Sequence, residues 1–476
     1  MEQLSELVAL IGSAHVLTEP QLKAQYEEDW RGRYHGQALA VVRPADTEQV
    51  AEVARWCHRH EVPLITQGGN TGLCGGATPD SSGRAIILST ERLTAIRAVD
   101  TDNDTMVVEA GCILQNVQQA AADVDRLFPL SLAAEGSCTI GGNLATNAGG
   151  TQVLRYGNAR DLVLGLEVVT AEGEIMHGLR GLRKDNTGYD LRNLFIGSEG
   201  TLGIITAATL KLFPQPVAQC TAMLALASVE DAIQMLNLAR QGFGPALTGF
   251  ELMARNCLEG VVACYPEQRL PFQGPSAEQP WFALLELSDS ESEEHARGRF
   301  EEVLGDAIEQ GVVQDAVIAE SVAQSAALWH LRESIPLAER AHGIGIKHDI
   351  SVPVSSFAEF IEQTNAEIQA FMPQIEHAIF GHLGDGNLHY NVMSGAHYTE
   401  QELIDKQEEL SGLVHDAVYR FGGSISAEHG IGQLKRDWLP NYKDPVEIAL
   451  MKRIKQALDP KNILNPDKLL NLTDAQ

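Results

Sequence analysis

Two glycine-dense stretches constrain this chain more than any other feature. QGGNTGLCGG spans residues 67–76 and EGSCTIGGNLATNAGG spans 135–150, each beside apolar segments. Glycine permits turns and close backbone approach that other residues forbid, while Asn, Ser and Thr add short hydrogen-bonding side chains. The apolar run VPLIT at 62–66 reads as a strand opening directly into the first stretch. There the glycines and Asn70 turn successive N–H groups toward one point, as in an anion-binding nest. The second stretch repeats that chemistry with Ser137, Thr139, Asn143, Thr146 and Asn147. Either stretch alone reads equally well as turn structure, but two so close in sequence favour one extended ligand carrying a pyrophosphate. Neither matches GxGxxG opening a helix or GxxxxGK[ST], so a Rossmann or P-loop fold is unsupported.

A chain of 476 residues exceeds one ordinary core and implies two or three domains. No apolar run approaches a membrane span, and the amino end MEQLSELVALIG lacks a basic leader region. A soluble, cytoplasmic protein is expected. The cysteines at 57, 74, 112, 138, 220, 257 and 264 form no CxxC pair, which fits reduced thiols. A formal charge of −29 argues against nucleic acid or an anionic membrane as partner. A small anionic substrate would need a local basic pocket.

Residues 46–60 predict a helix capped by Asp46 or Thr47, with Val50, Val53, Ala54 and Cys57 on one face. Strand signals at 161–170 and 200–213 complete a mixed α+β front domain. From 221 the order changes to strand, helix 229–240, a segment near 247–254, strand 281–288, helix 290–309 and the strand VVQDAVIA. This βαββαβ order predicts a ferredoxin-like sheet with two helices on one face. The proline-rich insertion 264–280 is expected as a surface loop. In SVAQSAALWHLRESIPLAERAHG, Pro336 should kink or end the helix near Arg332. GIKHDISVPV then reads as a strand on which Lys347 stands among apolar neighbours. Each cation alone is more often solvated, but together they could recognise a carboxylate.

Residues 381–391 read GHLGDGNLHYN and residues 426–430 read SAEHG. They set His382, His389, Glu428 and His429 among small, turn-forming residues. Two imidazoles and a carboxylate suit Zn²⁺ or a similar divalent ion and leave a coordination position for a substrate oxygen. The competing reading is a set of hydrogen-bonded core or surface histidines. No cysteine follows Cys264, so a thiolate site is excluded from this region.

PLITQGGNTGLCGG, TIGGNLATNAGG and IGSEGTLGIIT resemble the FAD-binding domain of the vanillyl-alcohol oxidase and p-cresol methylhydroxylase superfamily, over about 36–216. WHLRES, IKHDISVP, GHLGDGNLHYNV, SAEHGIG and DPKNILNPDKLL extend the likeness to nearly the whole chain. They resemble its D-2-hydroxyacid dehydrogenases, most closely the D-2-hydroxyglutarate dehydrogenases. The resemblance implies an N-terminal helical segment (1–35), a PCMH-type FAD-binding domain (36–216), a substrate domain (217–420) and a C-terminal segment completing the active site (421–476).

It further implies FAD contacts from Gly68, Gly69, Asn70, Thr71, Gly72, Leu73 and Gly75. The second loop would add Gly136, Thr139, Gly141, Gly142, Asn143, Thr146, Gly149 and Gly150, followed by Gly200, Gly203, Ile205 and Asn465. Covalent members carry a histidine where this chain has Gly69 and Asn70, so non-covalent FAD is expected. By the same likeness His382, His389 and Glu428 would bind the metal, and Asn391 and His429 would contact substrate. His429 would be the proton acceptor, and Arg332 and Lys347 would hold a distal carboxylate. The family pattern has a threonine where this chain has Pro336, which bears on the preferred diacid length.

The implied reaction oxidises a D-2-hydroxy acid, D-2-hydroxyglutarate or D-malate, to the 2-oxo acid. Its electron acceptor would be an electron-transferring flavoprotein or a quinone, and a homodimer is compatible with it. The alternatives are a D-lactate dehydrogenase of the same superfamily, a flavin-free metallohydrolase and a binding protein with a structural metal.

Overall fold

The helix expected after Asp46 forms over Thr47–His60 in the computed structural model of the chain, which describes residues 2–472. The Asp46 carboxylate accepts the Gln49 N–H at 2.8 Å, satisfying one of the donors that a helix start leaves unpaired. The helix buries Val50, Val53, Ala54, Trp56 and Cys57 in a core shared with Leu64, Ile86, Leu88, Ile204 and Leu464.

The chain divides into two compact units. The first comprises 1–150, 157–215 and 428–476, and the second 151–156 and 216–427. In the first, β1 (Val16–Leu17), β2 (Ala38–Val42), β3 (Leu64–Gln67) and β4 (Ala85–Ser89) form one sheet in the order β1-β2-β4-β3. The core strands β2 and β3 both pair parallel with β4, and β1 pairs antiparallel with β2, drawing residues before 36 into this unit. The following strands are β5 (Ile96–Asp100), β6 (Thr105–Glu109), β7 (Arg126–Leu127), β8 (Val163–Val169), β9 (Ile175–Gly178), β10 (Ile204–Lys211) and β11 (Phe213–Pro214). Five of them make an antiparallel sheet in the order β5-β6-β10-β8-β9, while β7 pairs with β11.

The C-terminal segment is stitched to this unit by a buried ion pair. Lys455, in the helix Pro445–Leu458, pairs with Asp459 and donates to the carbonyls of Thr201 (2.9 Å) and Leu464 (2.8 Å). Asp459 accepts the N–H groups of Ile463 and Leu464. Leu464 then lies parallel to Leu64 at the edge of β3, with the Asn465 N–H on the Leu64 carbonyl. The anchor for Asn465 is therefore built from Lys455, Asp459 and Leu464 just before it and from Leu64 and Thr201 far from it in sequence.

The second unit carries β12 (Ala218–Leu226), β13 (Leu247–Ala254), β14 (Trp281–Asp289) and β15 (Asp315–Ile318), with helices Val229–Phe243 and Glu293–Glu309 between them. Their spatial order β15-β12-β14-β13 is the ferredoxin-like arrangement expected from the βαββαβ order. The sheet does not stop there: β16 (Gly345–Ile346), β17 (Asp349–Ser351), β18 (Glu376–Gly381) and β19 (Asn387–Met393) extend it through a β13–β18 pairing.

Two expectations need correction. The insertion 264–280 is not wholly superficial, because Phe272 is buried in the core with Phe282 and Gln268 donates to the Ser334 hydroxyl at 3.0 Å. Residues 345–354 do not form one strand through Lys347, since β16 ends at Ile346 and β17 begins at Asp349. The helix break does form as expected: Val322–Glu333 ends, and Ile335–His342 restarts with Pro336 in its first turn.

Candidate active site

The first unit holds a cleft of about 990 Å³, part of it open to solvent. Its wall comes from the loop leaving β3, the turn and helix Ile140–Ala145, the 198–205 segment entering β10, and His429. Of the expected cofactor residues, Gly68, Gly69, Asn70, Thr71, Gly72, Thr139, Gly141, Gly142, Asn143, Thr146, Gly200, Gly203 and Ile205 line it. Leu73, Gly75, Gly136, Gly149, Gly150 and Asn465 do not. Asn465 instead ties two parts of the wall together, donating to the carbonyls of Gly76 (2.9 Å) and Glu199 (2.7 Å). Thr66, Cys74, Gly76, Ala77, Thr90, Ala145, Phe195, Ser198 and Glu199 also line the cleft without having been singled out in the sequence. Glu199 had a signal in its IGSEGTLG string, but an acid in a glycine turn points to no particular role.

The cleft is made largely of backbone. A Cβ on Gly69 would sit 2.0 Å from the Ser137 carbonyl oxygen, so the two glycine-rich stretches touch where only hydrogen fits. Asn70 takes a left-handed φ of 52°, and its side-chain amide is engaged with the Glu28 carbonyl at 2.8 Å. It therefore offers the cleft its main chain rather than its side chain. The hydroxyls of Thr90 and Thr139, both in the cleft wall, are buried with no hydrogen-bond partner among the described residues. Such orphaned groups are costly unless a ligand satisfies them. Those groups and the nest of N–H donors fit a dinucleotide such as FAD.

In the same unit, the Gly150 N–H donates to one oxygen of Glu428 at 2.7 Å. Gly149 and Gly150 thus orient the carboxylate of the SAEHG motif rather than face the cleft.

The second unit gathers a different set of groups around two buried acids that drew no attention in the sequence. Glu251 on β13, 1% exposed, accepts from Arg332 Nε at 2.8 Å and hydrogen-bonds His382 Nδ1 at 2.7 Å. Burial alone would raise its pKa, but the charges of His382 and Arg332 outweigh that and hold the carboxyl below its usual range. An ionised carboxylate can only accept, so His382 carries its proton on Nδ1. The terminal nitrogens of Arg332 make no hydrogen bond among the described residues, and its guanidinium stacks over the Phe380 ring at 4.9 Å.

Glu339, in the helix Ile335–His342, plays the matching part. It pairs with Lys347 Nζ at 2.9 Å and accepts from Asn391 Nδ2 at 2.8 Å, and the Asn391 carbonyl oxygen accepts the His348 N–H at 3.2 Å. Lys347 therefore stands beside an acid rather than among apolar neighbours. His382 and His389 lie with ring centroids 5.7 Å apart, across the turn from β18 to β19. Asp349 on β17, bonded to Asn387 Nδ2 at 2.9 Å, has an oxygen 3.9 Å from His389 Nδ1. The structure thus brings Arg332, Lys347, His382, His389 and Asn391 onto one sheet and its covering helices, while Glu428 and His429 belong to the first unit.

Residues 38–178 match the FAD binding domain family, and residues 215–469 match the family described as FAD linked oxidases, C-terminal domain. The D-2-hydroxyglutarate dehydrogenase of Xanthomonas citri pv. viticola is 39% identical over 476 residues, covering 99% of this chain and 98% of that protein. The mitochondrial D-2-hydroxyglutarate dehydrogenase of Bos taurus is 39% identical over 464 residues, covering 96% of this chain and 81% of that protein. Among solved structures, p-cresol methylhydroxylase with substrate bound superposes with a TM-score of 0.77 at 16% identity, covering 100% of this chain and 98% of that one. That likeness shows the PCMH-type fold. No helix among the described residues is long and apolar enough to cross a membrane. The chain is an FAD-linked dehydrogenase and belongs to the family of the D-2-hydroxyglutarate dehydrogenases.

Proposed function

We propose that this protein oxidises a D-2-hydroxy acid, D-2-hydroxyglutarate first and D-malate second, to the 2-oxo acid. The observation that carries this reading is His429 in the wall of the cleft formed by the glycine-rich loops, beside Gly200 and Gly203. A group that titrates near neutral pH thereby stands against the space that fits the flavin.

His382 and His389 with Glu428 are assigned to a divalent metal, zinc by ligand type. The donor set fits: Glu251 fixes the tautomer of His382 so that Nε2 carries the ligating lone pair, the carboxylate–histidine support common behind metal-bound imidazoles. When bound, FAD supplies the hydride acceptor and the metal supplies Lewis-acid polarisation of the α-hydroxyl. The chain's own groups do the rest. His429 accepts the α-hydroxyl proton on a ring nitrogen, and Asn391, held from both ends of its amide, contacts substrate. Arg332 directs its terminal N–H fork, and Lys347 its ammonium, at the distal carboxylate. FAD would be held without a covalent bond, and the electron acceptor would be an electron-transferring flavoprotein or a quinone.

One observation favours a second reading, a D-lactate dehydrogenase. Both proposed clamp cations already face buried carboxylates, Arg332 on Glu251 and Lys347 on Glu339. The clamp then acts through donor geometry more than through net charge. Anaerobic mixing of the purified holoenzyme with D-2-hydroxyglutarate, D-malate and D-lactate, following flavin absorbance, separates the two. A diacid should reduce the flavin with a kcat/KM about 10²-fold above lactate, and equal rates would favour the lactate enzyme. His429→Asn should keep FAD and slow the reduction by about 10² to 10⁴, the usual worth of a positioned base.

A further inference from the structure

Glu199 is the acid in the cleft wall, and its bonds run to three other segments of the first unit. It sits in a tight turn with a left-handed φ of 53°, a conformation a glutamate keeps only when its surroundings impose it. Its N–H donates to the Ala145 carbonyl at 2.8 Å, at the end of the second glycine stretch. Its carbonyl accepts the Asn465 amide at 2.7 Å. Its side chain does something different. One carboxylate oxygen accepts the Ile431 N–H and the other the Gly432 N–H, both at 2.7 Å.

Those two N–H groups lie directly after His429 and Gly430. Gly430 has a φ of 77°, and a Cβ there would stand 2.8 Å from a Glu199 oxygen, so the carboxylate occupies the place a larger residue would need. Burial raises the Glu199 pKa, so the clamp rests on geometry: two short bonds, one on each oxygen, restrict rotation as well as distance. They clamp the chain just beyond the histidine to the turn that carries Gly200 into the cleft wall. None of the residue pairs involved is close in sequence, so the local chain alone does not impose this arrangement.

We propose that Glu199 is a positioning residue for the proton acceptor: its carboxylate fixes the 430–432 turn so that His429 is held in the cleft wall before substrate arrives. This rests on the assignment of His429 as the acceptor. A glutamine at 199 would keep one acceptor and set an NH₂ group against the other N–H, releasing one side of the clamp. An aspartate would keep both acceptors on a shorter arm.

The test uses the FAD-loaded protein and two readouts. In Glu199→Gln, hydrogen exchange at the Ile431 and Gly432 amides should accelerate at least about tenfold, with the glycine loops unchanged. Anaerobic flavin reduction should slow about 10- to 10²-fold at an unchanged flavin-to-protein ratio, with KM moving less than kcat. Glu199→Asp should fall between Glu199→Gln and wild type. Adding Glu199→Gln to His429→Asn should cost less than about twofold more, because both changes act through one imidazole. Unchanged amide exchange would overturn the clamp. An equal slowing in the His429→Asn background would overturn its action through His429. Loss of FAD from both Glu199 variants would overturn positioning in favour of a role in holding the cofactor. If His429→Asn alone reduces at the wild-type rate, the assignment of the acceptor fails, and the exchange result still decides the clamp.

Discussion

The cleft of the first unit and the polar cluster of the second meet their ligands with different materials. In the cleft, the contacts come from backbone N–H groups and small residues, and the side chain of Asn70 is turned away onto Glu28. In the cluster, the polar side chains are held by buried acids, Glu251 for Arg332 and His382, Glu339 for Lys347 and Asn391. A backbone site is broken by adding atoms where none fit. A side-chain site is broken by removing the partner that makes its charges tolerable.

The largest expected effect follows from that contrast. Glu251→Ala leaves the Arg332 guanidinium buried without its carboxylate, which costs about 3–5 kcal/mol when one partner of a buried pair is removed. Denaturant unfolding should show the loss. A shift below about 1 kcal/mol would mean that water or a neighbouring acid takes over, and that the cluster is less dependent on Glu251 than its burial implies.

The same residue makes an acid-sensitivity prediction. The Glu251 carboxyl lies below its ordinary value in the folded protein, so its contribution is present above the unfolded value of about 4.3 and is lost as pH falls through the folded value. Wild-type stability should therefore decline on acidification below about pH 4.3, and Glu251→Gln should flatten that part of the curve. Glu251→Gln also sets an amide against His382 Nδ1–H, so metal affinity measured by chelator competition should drop about 10- to 100-fold. An unchanged affinity would remove His382 from the metal.

For the cleft, Gly69→Ala should be more damaging than the loss of any single hydroxyl there. Its methyl group would collide with the Ser137 carbonyl, and relieving that costs about 1–3 kcal/mol, read as weaker FAD retention or a lower Tm. Thr139→Val, which only deletes an orphaned hydroxyl, should weaken FAD by about 0.5–1.5 kcal/mol in a titration of the apoprotein. If Thr139→Val exceeds Gly69→Ala, the cleft depends on side chains after all and the contrast collapses.

How much of each site was legible from the residues follows the same division. The glycine stretches announced themselves because backbone conformation is a local property, and half of the residues they contain line the cleft. The exceptions are instructive. Gly149 is a glycine for the sake of Glu428, Gly150 for its left-handed φ of 103° against the Ser131 carbonyl, and Asn465 ties loops together rather than facing the space. Likewise His382 and His389 could be picked out by their motif, but nothing near them in sequence names Glu251, which lies 131 positions from His382 and 81 from Arg332. The expectation of apolar neighbours for Lys347 failed for a different reason, since its partner Glu339 sits on the helix Ile335–His342 rather than along a strand.

By itself the sequence determined what local physics can decide. The Asp46 cap, the interruption before Pro336 and the turn-forming loops all depend on residues within a few positions of each other. Tertiary structure alone decided which acid neutralises which cation, which ring nitrogen of His382 carries the proton, and which carboxylate clamps the turn after His429. The reason is that desolvating a charge is tolerable only beside a partner, and the fold can supply that partner from any point along the chain.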